Sequence, residues 1–445
     1  MLTNLQFARS QMGMSLIFHI VFAAIGMAMP LLMTIAEGLY LRTRNPVYLE
    51  LSRRWATGTA VLFAVGAVSG TVISFELGLL WPEFMKFAGA IIGMPFSLEG
   101  FAFFTEAIFL GIYLYGRNRI SPLKHWLSGL MVALSGIASG IFVVTANAWM
   151  NTPAGFEMRD GHPVNIHPIA AMLNPASLQQ VIHMTLAAYV ATALMVAGVH
   201  AFLLLRDRQS AFHRHAVGLA LTVVCVGIPL QILSGDFSAR VVARTQPEKF
   251  AALEAHYHTT ADAPLEIGGI PNDQTMQNDY GIQIPRLLSI MVFDDTKSVV
   301  TGLDAIPRAD WPNTRVTHWM FDLMVGAGFA MLALAIVVGW TWWRTRSLND
   351  KTWLLRAVVL AGPLGFVALE AGWIVTEVGR QPWIIYKIMR TSDAVTPMPN
   401  LFVPFGLFTI IYAILAVLVL ALLRRQFLET SLTPYGSKPH PEEKA

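Results

Sequence analysis

Nine stretches of this chain are each long and apolar enough to cross a lipid bilayer, and this constrains the fold more than any other feature. A spanning helix needs about 20 mostly apolar residues. Such runs lie at about 14–36, 56–80, 90–115, 125–149, 181–205, 216–236, 318–343, 353–378 and 402–423. Inside a bilayer the backbone must satisfy its own hydrogen bonds, so each run is predicted to be a helix. The expected fold is an all-α membrane protein of about nine transmembrane helices. Composition agrees: 55% of the 445 residues are hydrophobic and 13% are charged, with a mean hydropathy of +0.53, whereas a soluble domain is about 25% charged. The net charge is only +3, so a pI near 9.0 reflects a small imbalance and not a nucleic-acid footprint.

The segments between the runs alternate in Lys/Arg content, which sets orientation. Arg42, Arg44, Arg53 and Arg54 follow the first run, and Arg117, Arg119 and Lys124 follow the third. Arg206, Arg208 and Arg214 follow the fifth, Arg344, Arg346 and Lys351 the seventh, and Arg424 and Arg425 the last. These are predicted to face the cytoplasm, with the N-terminus outside and the C-terminus inside. The first apolar run is too long for a signal-peptide core and lacks a small-residue cleavage site, so it is read as a retained helix. One long external segment, about 237–317, carries seven Lys/Arg and ten Asp/Glu and is too long for a plain connector. A short helix is expected there at Pro247–His256. The tail 426–445, with Pro434, Pro439 and Pro441, reads as a disordered cytoplasmic end, leaving 1–425 as one polytopic domain.

An ionisable side chain at membrane depth costs on the order of 2.5–3.5 kcal/mol and so tends to face protein, water or a cofactor. His19, Glu99, Glu106, His183 and Glu370 interrupt the runs. Counting from the run ends places His19 roughly 8 Å deep at the helical rise per residue, His183 near the mouth of its helix, and Met324 and Glu370 about two turns from their outer ends. All four then fall in the outer half of the membrane, and His, Met and carboxylates are haem ligands. Glu99 and Glu106 share a helical face two turns apart, as do Glu370 and Glu377. Ser135, Ser139 and Asn147 form a polar stripe on the fourth run. Taken singly, each residue also fits ordinary interhelical packing or hydrogen bonding. The single cysteine, Cys225, excludes an internal disulfide, a thiolate-held cluster and a C-x-x-C-H haem attachment.

These residues stand in a series of motifs: Gln6-Phe7-Ala8-Arg9, Phe18-His19, Leu98-Glu99-Gly100, Phe103-Phe104-Thr105-Glu106, Ala146-Asn147-Ala148-Trp149-Met150, Val181-Ile182-His183 and Ser234-Gly235-Asp236. The series continues through Gly269-Ile270-Pro271 and Ile282-Gln283-Ile284-Pro285. Its most specific part is Glu370-Ala371-Gly372-Trp373 running into Glu377-Val378-Gly379-Arg380-Gln381-Pro382-Trp383. In this order along residues 1–425, the motifs resemble subunit I of the cytochrome bd-type quinol oxidases.

The resemblance implies a terminal respiratory quinol oxidase subunit of the bacterial cytoplasmic membrane. It would oxidise quinol outside and reduce O2 to water with cytoplasmic protons, building a proton gradient without full pumping. A low-spin haem b would be held by His183 and Met324. A high-spin pair, haem b with haem d or a further haem b, would lie by His19 and Glu370, with Glu99 close by in haem coordination or proton delivery, the group being assigned jointly. Glu106, Ser139 and Asn147 match a cytoplasmic proton route, and Lys249 and Glu254, with Asp236, match a quinol site. Implied partners are subunit II, small single-helix subunits, ubiquinol or menaquinol, O2 and membrane lipid. Where many relatives carry an Arg two residues before the axial Met, this chain has Asp322, which leaves Arg380 as the candidate basic partner of a haem propionate. The segment after Pro285 lacks the long insertion of some members, as in relatives described as cyanide-insensitive.

Two other classes compete: a b-type electron-transfer cytochrome that does not handle oxygen, and an ion-coupled transporter. The first would show paired membrane histidines, whereas His19 has no such partner. A haem-copper oxidase would need a membrane His cluster.

Overall fold

The structure, a computed structural model, describes residues 3–348 and 351–425; the tail expected at 426–445 lies outside the described residues. Its helices are α1 (Asn4–Thr43), α2 (Pro46–Leu80), α3 (Pro82–Tyr115), α4 (Pro122–Asn151), α5 (Pro168–Met172), α6 (Ser177–Arg206) and α7 (Ala211–Thr245). These are followed by α8 (Pro247–Leu253), α9 (Leu287–Phe293), α10 (Thr314–Thr345), α11 (Thr352–Ala361), α12 (Leu364–Val378), α13 (Thr391–Ala394) and α14 (Phe402–Arg424). Counting α11 and α12 as one span, nine among the described residues are long and apolar enough to cross a membrane, as the runs predict.

The helices outrun their apolar stretches. α1 starts at Asn4 behind a Thr3/Gln6 capping box, so His19 stands fifteen residues in, deeper along the helix than the run at 14–36 implies. α7 continues to Thr245, so the first nine residues of the long segment expected at about 237–317 are helical. Apolarity marks only what lipid or protein covers, whereas a helix runs on until something stops it. Here Pro247 is the stop, because the residues before a proline disfavour helical backbone.

The eighth span is the second departure. Expected as one run, it is divided at Gly362-Pro363 into α11 and α12. Pro363 has no N–H to donate to Val359, and Gly362 donates there instead at 3.3 Å. The break sits where α6 crosses closely: a Cβ on Gly198 would lie 3.0 Å from Gly362 Cα.

α1 occupies the centre, packing on α2, α4, α6 and α14, while α6 pairs with α7, α3 with α4, and α10 with α12. The Gly136-x-x-x-Gly140 spacing works as a crossing: a Cβ on Gly140 would meet Met27 Sδ at 2.7 Å. The arginines and lysines that flank the runs gather at one end of the bundle. The opposite end carries the segment between α7 and α10 and is called the loop end below. There β1 (Leu265–Ile267) pairs with β4 (Ile282–Ile284), and β2 (Ile270–Asn272) with β3 (Gln277–Asp279), forming nested hairpins. Their corner, Gly268-Gly269, has positive φ at both residues, which suits glycine. α10 holds this corner: Asp322 accepts from Gly268 N at 2.7 Å, His318 Nε2 donates to Gly268 O at 2.9 Å, and Trp319 donates to Gly269 O at 2.9 Å.

Candidate functional site

His19 and His183 lie on different helices and are held in the same way. His19 Nδ1 is 3.0 Å from Ser69 Oγ, and the Ser69 hydroxyl hydrogen is directed at the carbonyls of Val65 and Gly66 at 2.9 and 3.1 Å. With the Ser69 hydrogen on a carbonyl, Oγ accepts from His19 Nδ1, the tautomer that leaves the lone pair on Nε2. His183 Nδ1 is 2.9 Å from Ser234 Oγ, and Ser234 lies 2.8 Å from Gln231 O. The same arrangement there leaves the lone pair on Nε2, with the Gln231 amide nitrogen 3.2 Å from it. Metal-bound histidines are oriented in this way, by a partner on the other ring nitrogen.

His19, His183 and Met324 each also face a glycine on a neighbouring helix. A Cβ would lie 3.0 Å from His19 Cε1 at Gly70, 3.5 Å from His183 Cε1 at Gly235, and 2.9 Å from Met324 Sδ at Gly372. α12 packs on both α6 and α10, so the helices bearing His183 and Met324 flank the one bearing Glu370. Both carboxyl oxygens of Glu370 are buried without a hydrogen-bond partner, as are Nε and Nη1 of Arg380. Among the described residues, no three His, Cys, Asp or Glu side chains converge as a bare metal ion requires. Single donors of His, Met and Glu type, flanking glycines, an unpartnered carboxylate and a guanidinium with open donors fit haem.

The carboxylates of α3 lie on the α4 face as their spacing predicts. Ser139 donates to Glu99 at 3.4 Å, and Glu106, 5% exposed, faces Gly136, whose Cβ would be 3.4 Å from both carboxyl oxygens. Two turns further along α3, away from the loop end, sequence reasoning missed a buried group. His125 lies 2.7 Å from Glu37 Oε1 and 2.8 Å from Tyr113 O, while Glu37 Oε2, Tyr113 OH and Thr34 Oγ1 have no partner. Glu37 closes an apolar run and His125 opens one, so neither interrupts the hydropathy pattern that exposed the others.

Asn147, expected on the Glu106 line, has a different hydrogen-bond partner. It donates to Glu377 Oε1 at 2.6 Å, and Glu377 also accepts from Arg380. Asn147 stands eight residues beyond Ser139 on α4, toward the loop end, where Asn151 accepts from Lys249 Nζ at 2.6 Å. Lys249 is thus built into an Asn147–Glu377–Arg380 network. Gly379 permits this approach, since a Cβ there would meet Lys249 Cγ at 2.9 Å. Burial first, then nearby Arg380, pushes the Lys249 ammonium down to about 7 against the pull of Glu377.

Glu254 follows α8 and is 4% exposed. Burial, then Asp322 and Glu266, push its carboxyl up to about 8. Glu266 also lines a cavity of about 350 Å³ with Ala255, His256, Met276 and Asn278. Asp236 does not join this group: its carboxylate pairs with Arg240 at 2.8 Å, which also binds Asp294 at 2.6 Å.

The sequence matches the family model for cytochrome bd terminal oxidase subunit I over residues 7–431. It is 37% identical over 430 residues to a putative cytochrome bd menaquinol oxidase subunit I of Bacillus subtilis (strain 168), covering 95% of this chain and 96% of that one. It is 30% identical over 441 residues to the cytochrome bd ubiquinol oxidase subunit 1 of the same organism, with 96% and 94% covered. The fold is similar to the bd oxidase structure from Geobacillus thermodenitrificans, with a TM-score of 0.90 at 38% identity, covering 96% and 98% of the two chains. With sequence and fold agreeing over nearly the whole length, the chain belongs to the cytochrome bd terminal oxidase subunit I family.

Proposed function

We propose that this chain is the haem-carrying subunit of a quinol oxidase in the bacterial cytoplasmic membrane, with its loop end outside and its basic end in the cytoplasm. The observation that carries the proposal is the matched arrangement of His19 and His183, each held at Nδ1 by a serine so that Nε2 is presented as a ligand. His183 and Met324 would hold a low-spin haem b. His19, Glu99 and Glu370 would jointly hold a high-spin pair, haem b with haem d or a second haem b, and Arg380 would turn its open donors to a propionate. When bound, these haems supply one-electron transfer and an open iron at which oxygen is reduced.

The remaining chemistry belongs to the side chains. Quinol, whether ubiquinol or menaquinol, would bind at the loop end beside Lys249 and Glu254. A carboxyl balanced near about 8 accepts a quinol proton close to neutral pH and passes it outward. Lys249, anchored on Asn151, would bond the quinol oxygen. Protons for water formation would enter at the basic end, pass Glu37 and His125, and be held in turn by Glu106 and Glu99. Because protons leave at one end and enter at the other, turnover separates charge without carrying a proton across the whole membrane. The exposed apolar side chains Phe75, Phe101, Phe104 and Ile108 on α2 and α3 suit subunit II, with small single-helix subunits and lipid completing the surround.

The test is pigment extraction and a dithionite-reduced spectrum of the purified complex. Low-spin and high-spin haem signals are expected; a purified complex without haem would overturn the reading.

A further inference from the structure

Outside the groups already described, a set of buried polar side chains lies between His19 and the loop end. Gln11, Ser15 and His19 share one face of α1 at four-residue spacing. On α2, Glu76 stands two turns beyond Ser69, the partner of His19. Gln11 Nε2 donates to Glu76 Oε1 at 2.9 Å. From α14, whose other buried residue is Val419, Tyr412 enters with its ring 4.6 Å from that of Phe18. Gln11, Ser15, Glu76 and Tyr412 are all at most 4% exposed. Yet Gln11 Oε1, Ser15 Oγ, Glu76 Oε2 and Tyr412 OH have no hydrogen-bond partner. Ser15 lies within hydrogen-bonding reach of both the Glu76 carboxyl and the Tyr412 hydroxyl, yet meets full bonding geometry with neither.

We propose that these four side chains hold a buried water and form a polar conduit from the His19 pocket to the loop end, through which product water leaves. The conduit role, though not the water itself, rests on the reading that His19 belongs to the oxygen-reducing centre. The donor and acceptor count suits one water: it donates to Glu76 Oε2 and Gln11 Oε1 and accepts from Tyr412 O–H, with Ser15 free to rotate to it. A buried water makes about three such bonds. The direction follows from the rest of the chain, because Glu99 and Glu106 approach from the basic end and leave the loop-end side of His19 to this track.

The test uses the intact complex. A cryo-EM map that resolves waters is expected to show one bonded to Glu76 and Tyr412, lost in Tyr412→Phe. Direct Ser15–Glu76 bonding, a haem carboxylate or a lipid headgroup in that place overturns the proposal. In parallel, X-ray hydroxyl-radical labelling is expected to mark Tyr412 strongly in the wild type and to lose that labelling in Glu76→Leu. Unchanged labelling overturns the water site. The haem spectrum of His19→Ala separately tests the reading on which the conduit role rests, so a failure of one does not imitate a failure of the other.

Discussion

Ser234 bridges His183 and Gln231: its Oγ lies 2.9 Å from His183 Nδ1 and 2.8 Å from Gln231 O, which suits a bond from the ring to the serine. The proposed ligand set depends on this bond. His183→Ala is expected to abolish the low-spin haem band in the reduced spectrum while high-spin signal persists. Ser234→Ala, which removes only the orienting bond, is expected to weaken haem retention by about 10–100-fold. An unchanged low-spin spectrum in His183→Ala would sink the ligand assignment.

The glycines opposite the ligands give a test whose sign is informative. Gly→Ala within a helix ordinarily stabilises by about 1 kcal/mol. At Gly70 and Gly372 the added methyl meets His19 Cε1 at 3.0 Å and Met324 Sδ at 2.9 Å, and overpacking costs about 1–3 kcal/mol. Both variants are expected to lower thermal stability and haem content, whereas Gly13→Ala, with nothing within 4 Å of its added carbon, is expected to lower neither. Thermal melting with haem quantification decides the matter.

For Glu254 the sign of the pH dependence is definite. As a proton acceptor it must be ionised, so quinol oxidation is expected to rise with pH toward about 8. Glu254→Gln is expected to lose that limb and about 10²-fold in rate, while oxygen reduction with an artificial donor survives. Equal loss of both activities would remove the quinol-site role. The same shift has a stability consequence. A carboxyl raised from 4.5 to about 8 on folding binds its proton more tightly in the folded chain, so wild type loses stability as pH climbs between those values. Melting of Glu254→Gln against wild type across that window is expected to move in favour of the variant.

Asn147 and Glu106 are expected to separate. Glu106→Gln is expected to slow oxygen reduction by about 10²-fold with haem content retained. Asn147→Ala breaks the 2.6 Å bond to Glu377 and is expected to disturb quinol oxidation and haem potential instead. Redox titration alongside oxygen uptake distinguishes them. A selective proton-uptake defect in Asn147→Ala would restore Asn147 to the Glu106 line.

Hydropathy made the spans legible because lipid punishes polar side chains, and for the same reason His19, Glu99, Glu106 and Glu370 stood out. Their orienting partners did not. Ser69 lies 50 residues from His19 and Ser234 lies 51 from His183, and a serine in a membrane helix is unremarkable until its neighbour is known. The bond from Asn147 to Glu377 was not legible, because spacing puts Asn147 on the same stripe as Ser139 but says nothing of how far along that stripe the environment changes. Asp236 sits within the Ser234-Gly235-Asp236 motif, yet one turn of helix directs it to Arg240. The division of α11 from α12 was hidden because a proline in an apolar run does not always break it: Pro30, Pro95 and Pro229 lie inside continuous helices.

That division also has a mechanical side. α12 is 15 residues long, about 22 Å at the helical rise. It is released from α11 at Pro363 and clamped by α6 and α10 along its length. It is therefore a short rigid rod whose Pro363 end rests on α6, where a Cβ on Gly365 would meet Ala191 Cα. Glu370 is part-way along it, and Glu377, Gly379 and Arg380 are at the outer end against Lys249. A displacement caused by a molecule settling beside Lys249 would be delivered to Glu370 as a tilt of one rod, while the basic half of the span stays still.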